Sequence, residues 1–85
     1  MSEGRSLLFE QGYLAGFKDL AATDRILARR VMAIVNSLAV DPQPDHSVHL
    51  GGGSLVYRLD IDDVRVMYEV ADDAVRIWSL GRVPR

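Results

Sequence analysis

The chain of 85 residues contains no cysteine, so neither a disulfide nor a thiolate metal site can brace it. That absence fits a reducing compartment. Histidine is scarce as well. His46 and His49 lie three apart with no further ligand cluster beside them, and no metal site is expected. Long apolar runs are missing: no window approaches the ~20 apolar residues of a membrane helix. The early run Leu7-Leu8-Phe9 stops at Glu10, too short for a secretory signal. A cytoplasmic protein without a membrane partner or a small-molecule cofactor is expected. Nor is there an excess of one charge. Lys+Arg 10 against Asp+Glu 12 gives a net charge of −2, which argues against a broad, nonspecific nucleic-acid coat. Lysine is nearly absent, Lys18 standing alone among arginines. Arginine suits bidentate phosphate or carboxylate contacts, and a codon bias produces the same excess.

What is present is a 48% apolar composition, ordinary for a folded domain. The length implies a single domain over residues 1–85, burying about 60–65% of its unfolded surface. Ser6 to Glu10 is a candidate first strand. Tyr13, Phe17 and Leu20 then take helical spacing. Thr23 is the expected N-cap of a second helix, with Asp24 in its first turn. From Asp24 to Val40, Leu27, Val31, Ile34 and Leu38 step by 4, 3 and 4, while Arg25, Arg29, Met32 and Asn36 fall on other faces. Asp41-Pro42-Gln43-Pro44 ends that helix. Asp41 to Gly53 is expected to be loop. Gly51-Gly52-Gly53 is not a phosphate loop, because no Lys-Ser/Thr follows and a strand comes next.

The remainder alternates with period two. Strands are expected over Leu55–Ile61, Val64–Val70 and from Val75 to Gly81, joined by turns at Asp62-Asp63 and Asp72-Asp73. Pro84 prevents ladder pairing in the tail. Leu55, Tyr57, Leu59, Val64, Val66, Tyr68, Val75 and Ile77 should point at the helices. Arg58, Arg65, Met67, Glu69, Arg76 and Trp78 should line the opposite face. The fold class is α+β, in the order β-α-α-β-β-β, with two helices on one face of a small, mainly antiparallel sheet.

Several segments resemble a known family. Phe17-Lys18-Asp19-Leu20, with Val31, Leu38 and Asp41-Pro42, is similar to the helical half of RelE/ParE toxins. Leu50-Gly51, Leu55-Val56-Tyr57-Arg58-Leu59 and Val64-Arg65-Val66-Met67-Tyr68-Glu69-Val70 resemble that family's strand signature. Leu80-Gly81-Arg82 resembles the close of its last strand. The resemblance runs from about Leu7 to Arg82. It implies the toxin half of a bacterial type II toxin–antitoxin pair, neutralised by a cognate antitoxin. RelE-like members are ribosome-dependent, metal-independent endoribonucleases that cut mRNA and stop translation. ParE-like members inhibit DNA gyrase and cut no RNA, and an antitoxin-binding module without toxicity is a further form.

RNA cleavage by 2′-hydroxyl attack needs a base, an acid and stabilisation of the phosphorane charge. On the resemblance, Arg58, Arg65 and Arg82 are the candidate catalytic residues. A guanidinium is a fixed cation, so their role would be charge stabilisation. Met67, Arg76, Trp78 and Arg85 are the candidate RNA- or partner-binding residues. The bland alternative is that Arg58 and Arg65 pair with Asp60 and Glu69 across the sheet, each pair contributing ~0.2–1 kcal/mol. The chain departs from the nuclease pattern at several points, among them Ser79-Leu80 before Gly81, which offers no histidine, and the acidic charge balance. Asp60 stands where competent relatives carry a second basic residue, and no tyrosine follows Arg82.

Overall fold

Alternation in the second half of the chain predicts one dry face, and the computed structural model has it. Its described residues are 4–51 and 55–83. Gly52, Gly53, Pro84 and Arg85, all given roles above, lie outside them. The elements are β1 (Ser6–Phe9), α1 (Gln11–Thr23), α2 (Arg25–Ser37), β2 (Ser47–His49), β3 (Val56–Ile61), β4 (Val64–Val70) and β5 (Ala74–Arg82). The five strands form one sheet in the order β1-β5-β4-β3-β2. Every pairing is antiparallel except β1 with β5, which is parallel. Both helices cover one face. Val31, Val35 and Leu38 join Leu59, Val64, Val66, Tyr68, Val75 and Ile77 in a core from which water is excluded.

Four expectations need correction. Asp24, not Thr23, caps α2: its carboxylate accepts from the Leu27 amide at 3.0 Å. Thr23 is still helical, and its hydroxyl donates back to the carbonyls of Asp19 and Leu20. A carboxylate is as good a cap as a hydroxyl, so residue type could not choose between these neighbours. The segment 41–53 is not all loop. Ser47–His49 pairs with β3 as a short edge strand, too short to show alternation. Leu55 lies one residue before β3 begins and is 53% exposed, so it has no place in the helix-facing layer. The helix expected to reach Val40 ends at Ser37, and a turn carries residues 38–40.

The added edge strand is tied down by tyrosines. The Tyr68 hydroxyl donates to the Pro42 carbonyl at 2.9 Å, and the Gln43 amide donates to the Tyr57 hydroxyl at 2.8 Å. The rings of His49, Tyr57 and Tyr68 follow one another at centroid spacings of 4.9 and 5.6 Å. On the other side of the molecule α1 sits almost on the backbone of β5. A methyl group on Gly12 would lie 2.7 Å from the Trp78 carbonyl oxygen, and one on Gly16 would overlap that of Leu80. Only glycine permits this approach.

Candidate functional site on the outer face of the sheet

The face away from the helices is built by register. Arg58 stands opposite Met67, Asp60 opposite Arg65, and Val56 opposite Glu69. On the other side of β4, Arg65 faces Gly81, Met67 faces Ser79, and Glu69 faces Arg76. Val48 of the edge strand continues the row of Arg58 and Met67. The neighbouring positions Leu59, Val66 and Ile77 are fully buried. Arg58, Arg65 and Arg76 therefore share the outer face.

The structure brings Arg58 and Arg65 together through an acid. Asp60 accepts from Arg65 Nε at 3.0 Å and lies 3.7 Å from Arg58 Nε. Arg58 Nε is buried and makes no hydrogen bond. Two cations and one carboxylate thus form a single cluster, half-open to solvent. Gly81 leaves the position opposite Arg65 without a side chain. Beside it lies a shallow depression of about 230 Å³ lined by Arg65, Met67, Ser79, Gly81, Arg82 and Val83.

The other candidate residues are spread around this cluster. Arg82 is opposite Val64, so its side chain leaves β5 on the helix side. Its guanidinium bonds the Asp63 carboxylate at 2.7 Å. It borders the outer depression and, on the other side of the strand, a cavity of about 330 Å³ with Gly16, Asp19, Leu20, Thr23 and Leu80. Arg76 lies 3.5 Å from Glu10, two strands from Arg58. Met67 is half-buried between Arg58 and Ser79.

Trp78 occupies a place that simple alternation does not foresee. Tyr68 pairs with Ile77 and Met67 with Ser79, so Trp78 is the extra residue of a β-bulge. The bulge resets the phase of β5. Val75 and Ile77 face the core, and after the added residue Leu80 does so as well. Trp78 is left 46% exposed. Leu80 was missed as a core residue for this reason. The signal was present, since an uninterrupted alternation would have sent Leu80 outward, toward solvent. Among the described residues no group of three or more His, Cys, Asp or Glu side chains is placed to hold a metal ion.

No family model and no curated protein matches the chain. Solved structures do. An archaeal RelE–RelB complex from Pyrococcus horikoshii superposes with a TM-score of 0.74 at 23% identity, over 96% of this chain and 98% of that one. A chromosomal ParDE toxin–antitoxin system from P. aeruginosa gives 0.70 at 15%, over 98% and 100%. A YoeB dimer from Staphylococcus aureus gives 0.69 at 14%, over 95% and 98%. The chain is an α+β protein with the fold of these RelE, ParE and YoeB toxin structures, from β1 to β5.

Proposed function

We propose that this chain is the toxin component of a type II toxin–antitoxin pair, held inactive by a cognate antitoxin. We further propose that it acts by binding its target, as ParE-like proteins do on gyrase, and not by cutting RNA. The whole-chain likeness to RelE, YoeB and ParE structures supports the first statement. One observation carries the second: Asp60 sits between Arg58 and Arg65. A phosphate approaching those guanidinium groups meets a carboxylate already holding them, and a fixed negative charge repels it. The outer face also offers no imidazole among its register neighbours to take a proton from a 2′-hydroxyl. His49, in the edge strand, pairs with Tyr57, whose neighbour Arg58 points the other way.

A second reading, ribosome-dependent mRNA cleavage in the RelE manner, draws on the unsatisfied Nε of Arg58. A buried guanidinium nitrogen without a hydrogen bond is costly and would gain from an incoming anion. Arg65 and Arg82 border the depression where that anion would lie.

Controlled expression in a bacterial host separates these readings. Growth arrest relieved by the product of an adjacent small reading frame is expected. Primer extension on cellular mRNA should give no new ends, while purified protein should inhibit gyrase supercoiling. New mRNA ends that depend on Arg65 would replace the binding reading with the nuclease. Unchanged growth, with neither effect, would remove the toxin assignment.

A further inference from the structure

Residues 41–50 border the sheet at its β2 edge, and none of them is buried. The strand within them, β2, is three residues long and ends the sheet, so it pairs on one side only. The chain is fixed just before this segment by Leu38, which is fully buried. Just after it, Gly51 has a φ of 63°, a left-handed conformation natural to glycine. A segment with firm ends and no core residue of its own is bounded on both sides.

The two faces of the sheet hold this segment unequally. On the helix side the attachment is favourable. The Tyr68 hydroxyl donates to the Pro42 carbonyl at 2.9 Å, the Gln43 amide donates to the Tyr57 hydroxyl at 2.8 Å, and the His49 ring lies against Tyr57. On the outer side the attachment is unfavourable at one atom. Val48 and Met67 flank Arg58 across the strands. Arg58 Nε is shut off from water and makes no hydrogen bond, and the Asp60 carboxylate is 3.7 Å away. A charged donor without an acceptor favours any rearrangement that returns it to water. Withdrawing Val48 needs only the edge strand to move. Withdrawing Met67 would part the centre of the sheet.

We propose that residues 41–50 are a strap that lifts away as a unit while the rest of the sheet stays folded, and that the desolvated Arg58 Nε sets how often it does so. Local openings draw on segments with few buried side chains. This one breaks two side-chain hydrogen bonds, the short β2 pairing and the amide bond from Leu50 to the Val56 carbonyl. Opening leaves β3 as the sheet edge and lets water or a ligand reach Arg58 from the side of Val48. Access to the arginine cluster is then governed by a segment that carries none of its charges. The inference does not rest on the toxin reading, because opening is measured on the purified chain whatever its target.

Hydrogen exchange read by mass spectrometry at neutral pH tests it. The hydrogen-bonded amides of Ser47 and Leu50 should exchange at least about a hundredfold faster than that of Val66 in β4. Tyr68→Phe removes one hold and should speed exchange in residues 41–50, relative to β4, by about fivefold. Arg58→Met keeps a long side chain without the charge and should slow it by about fivefold or more. Loss of an ordinary contact would act in the opposite direction. Arg65→Met removes the other cation on Asp60 and should leave the rate unchanged. Exchange of residues 41–50 in step with β4, no response to Tyr68→Phe, equal or faster exchange in Arg58→Met, or an equal slowing in Arg65→Met would each overturn the proposal.

Discussion

The two faces of one sheet are held by different physics. On the helix side, Leu59, Val64, Val66, Tyr68, Val75 and Ile77 are shut off from water. On the outer side, one residue away along the same strands, Arg58 and Arg65 flank Asp60 at 3.7 and 3.0 Å, and Arg76 lies 3.5 Å from Glu10, all in partial contact with solvent. Apolar burial stabilises at roughly 25 cal/mol per Å² and has no preferred partner. An exposed ion pair contributes about 0–1 kcal/mol, but it decides which charge is available to a ligand. Stability should therefore reside in the inner face and specificity in the outer one.

Adjacent residues test that division most sharply. Leu59→Ala should cost about 2–5 kcal/mol in urea unfolding. Its neighbour Arg58→Ala should cost less than about 1 kcal/mol. Similar losses at both positions would break the contrast. Next in size is Gly16→Ala. Alanine favours a helix over glycine by about 1 kcal/mol. Here its methyl overlaps the Leu80 carbonyl, which is sheet backbone and cannot step aside. Overpacking costs about 1–3 kcal/mol, and the clash is severe, so a net loss is expected. A stabilised variant would show that α1 stands farther from β5.

A smaller effect tests the inner face through a proton. Burial raises the pKa of Tyr68 above its ordinary value of 10.0, with the Ser47 hydrogen bond acting the other way, and burial raises Tyr13 as well. The folded state thus favours the neutral phenol. That contribution is complete below pH 10 and is lost as pH rises from there through the folded pKa. Tyr68→Phe should remove one hydrogen bond, about 0.5–1.5 kcal/mol at neutral pH, and shift alkaline unfolding to higher pH. Unchanged alkaline unfolding would place the ionising group elsewhere.

The same division governs how much could be read before coordinates. Alternation at Leu59, Val66 and Ile77 was legible because burial leaves a periodic imprint on sequence. The outward set of Arg58, Arg65 and Arg76 followed as its complement. What alternation could not express was missed. A bulge at Trp78 shifts phase by one residue, so Leu80 turns inward. A three-residue edge strand has no period to detect. Gly12 and Gly16 look like helix weakeners until β5 is seen beneath them. At the outer face, residue types named the arginines but not their partners. That Asp60 serves two cations at once, and that Arg82 goes to Asp63, depends on register across three strands.

The smallest structural change proposed tests the largest functional claim. Asp60→Asn keeps the shape and a hydrogen-bond acceptor but removes the negative charge, so unfolding should change by less than about 1 kcal/mol. Single-stranded RNA binding should be compared by anisotropy for both proteins at physiological salt. The account predicts no saturable binding by the unaltered chain and a gain of at least about tenfold for Asp60→Asn, as two guanidinium groups are released toward phosphate. Tight RNA binding by the unaltered chain, unaffected by the substitution, would contradict it.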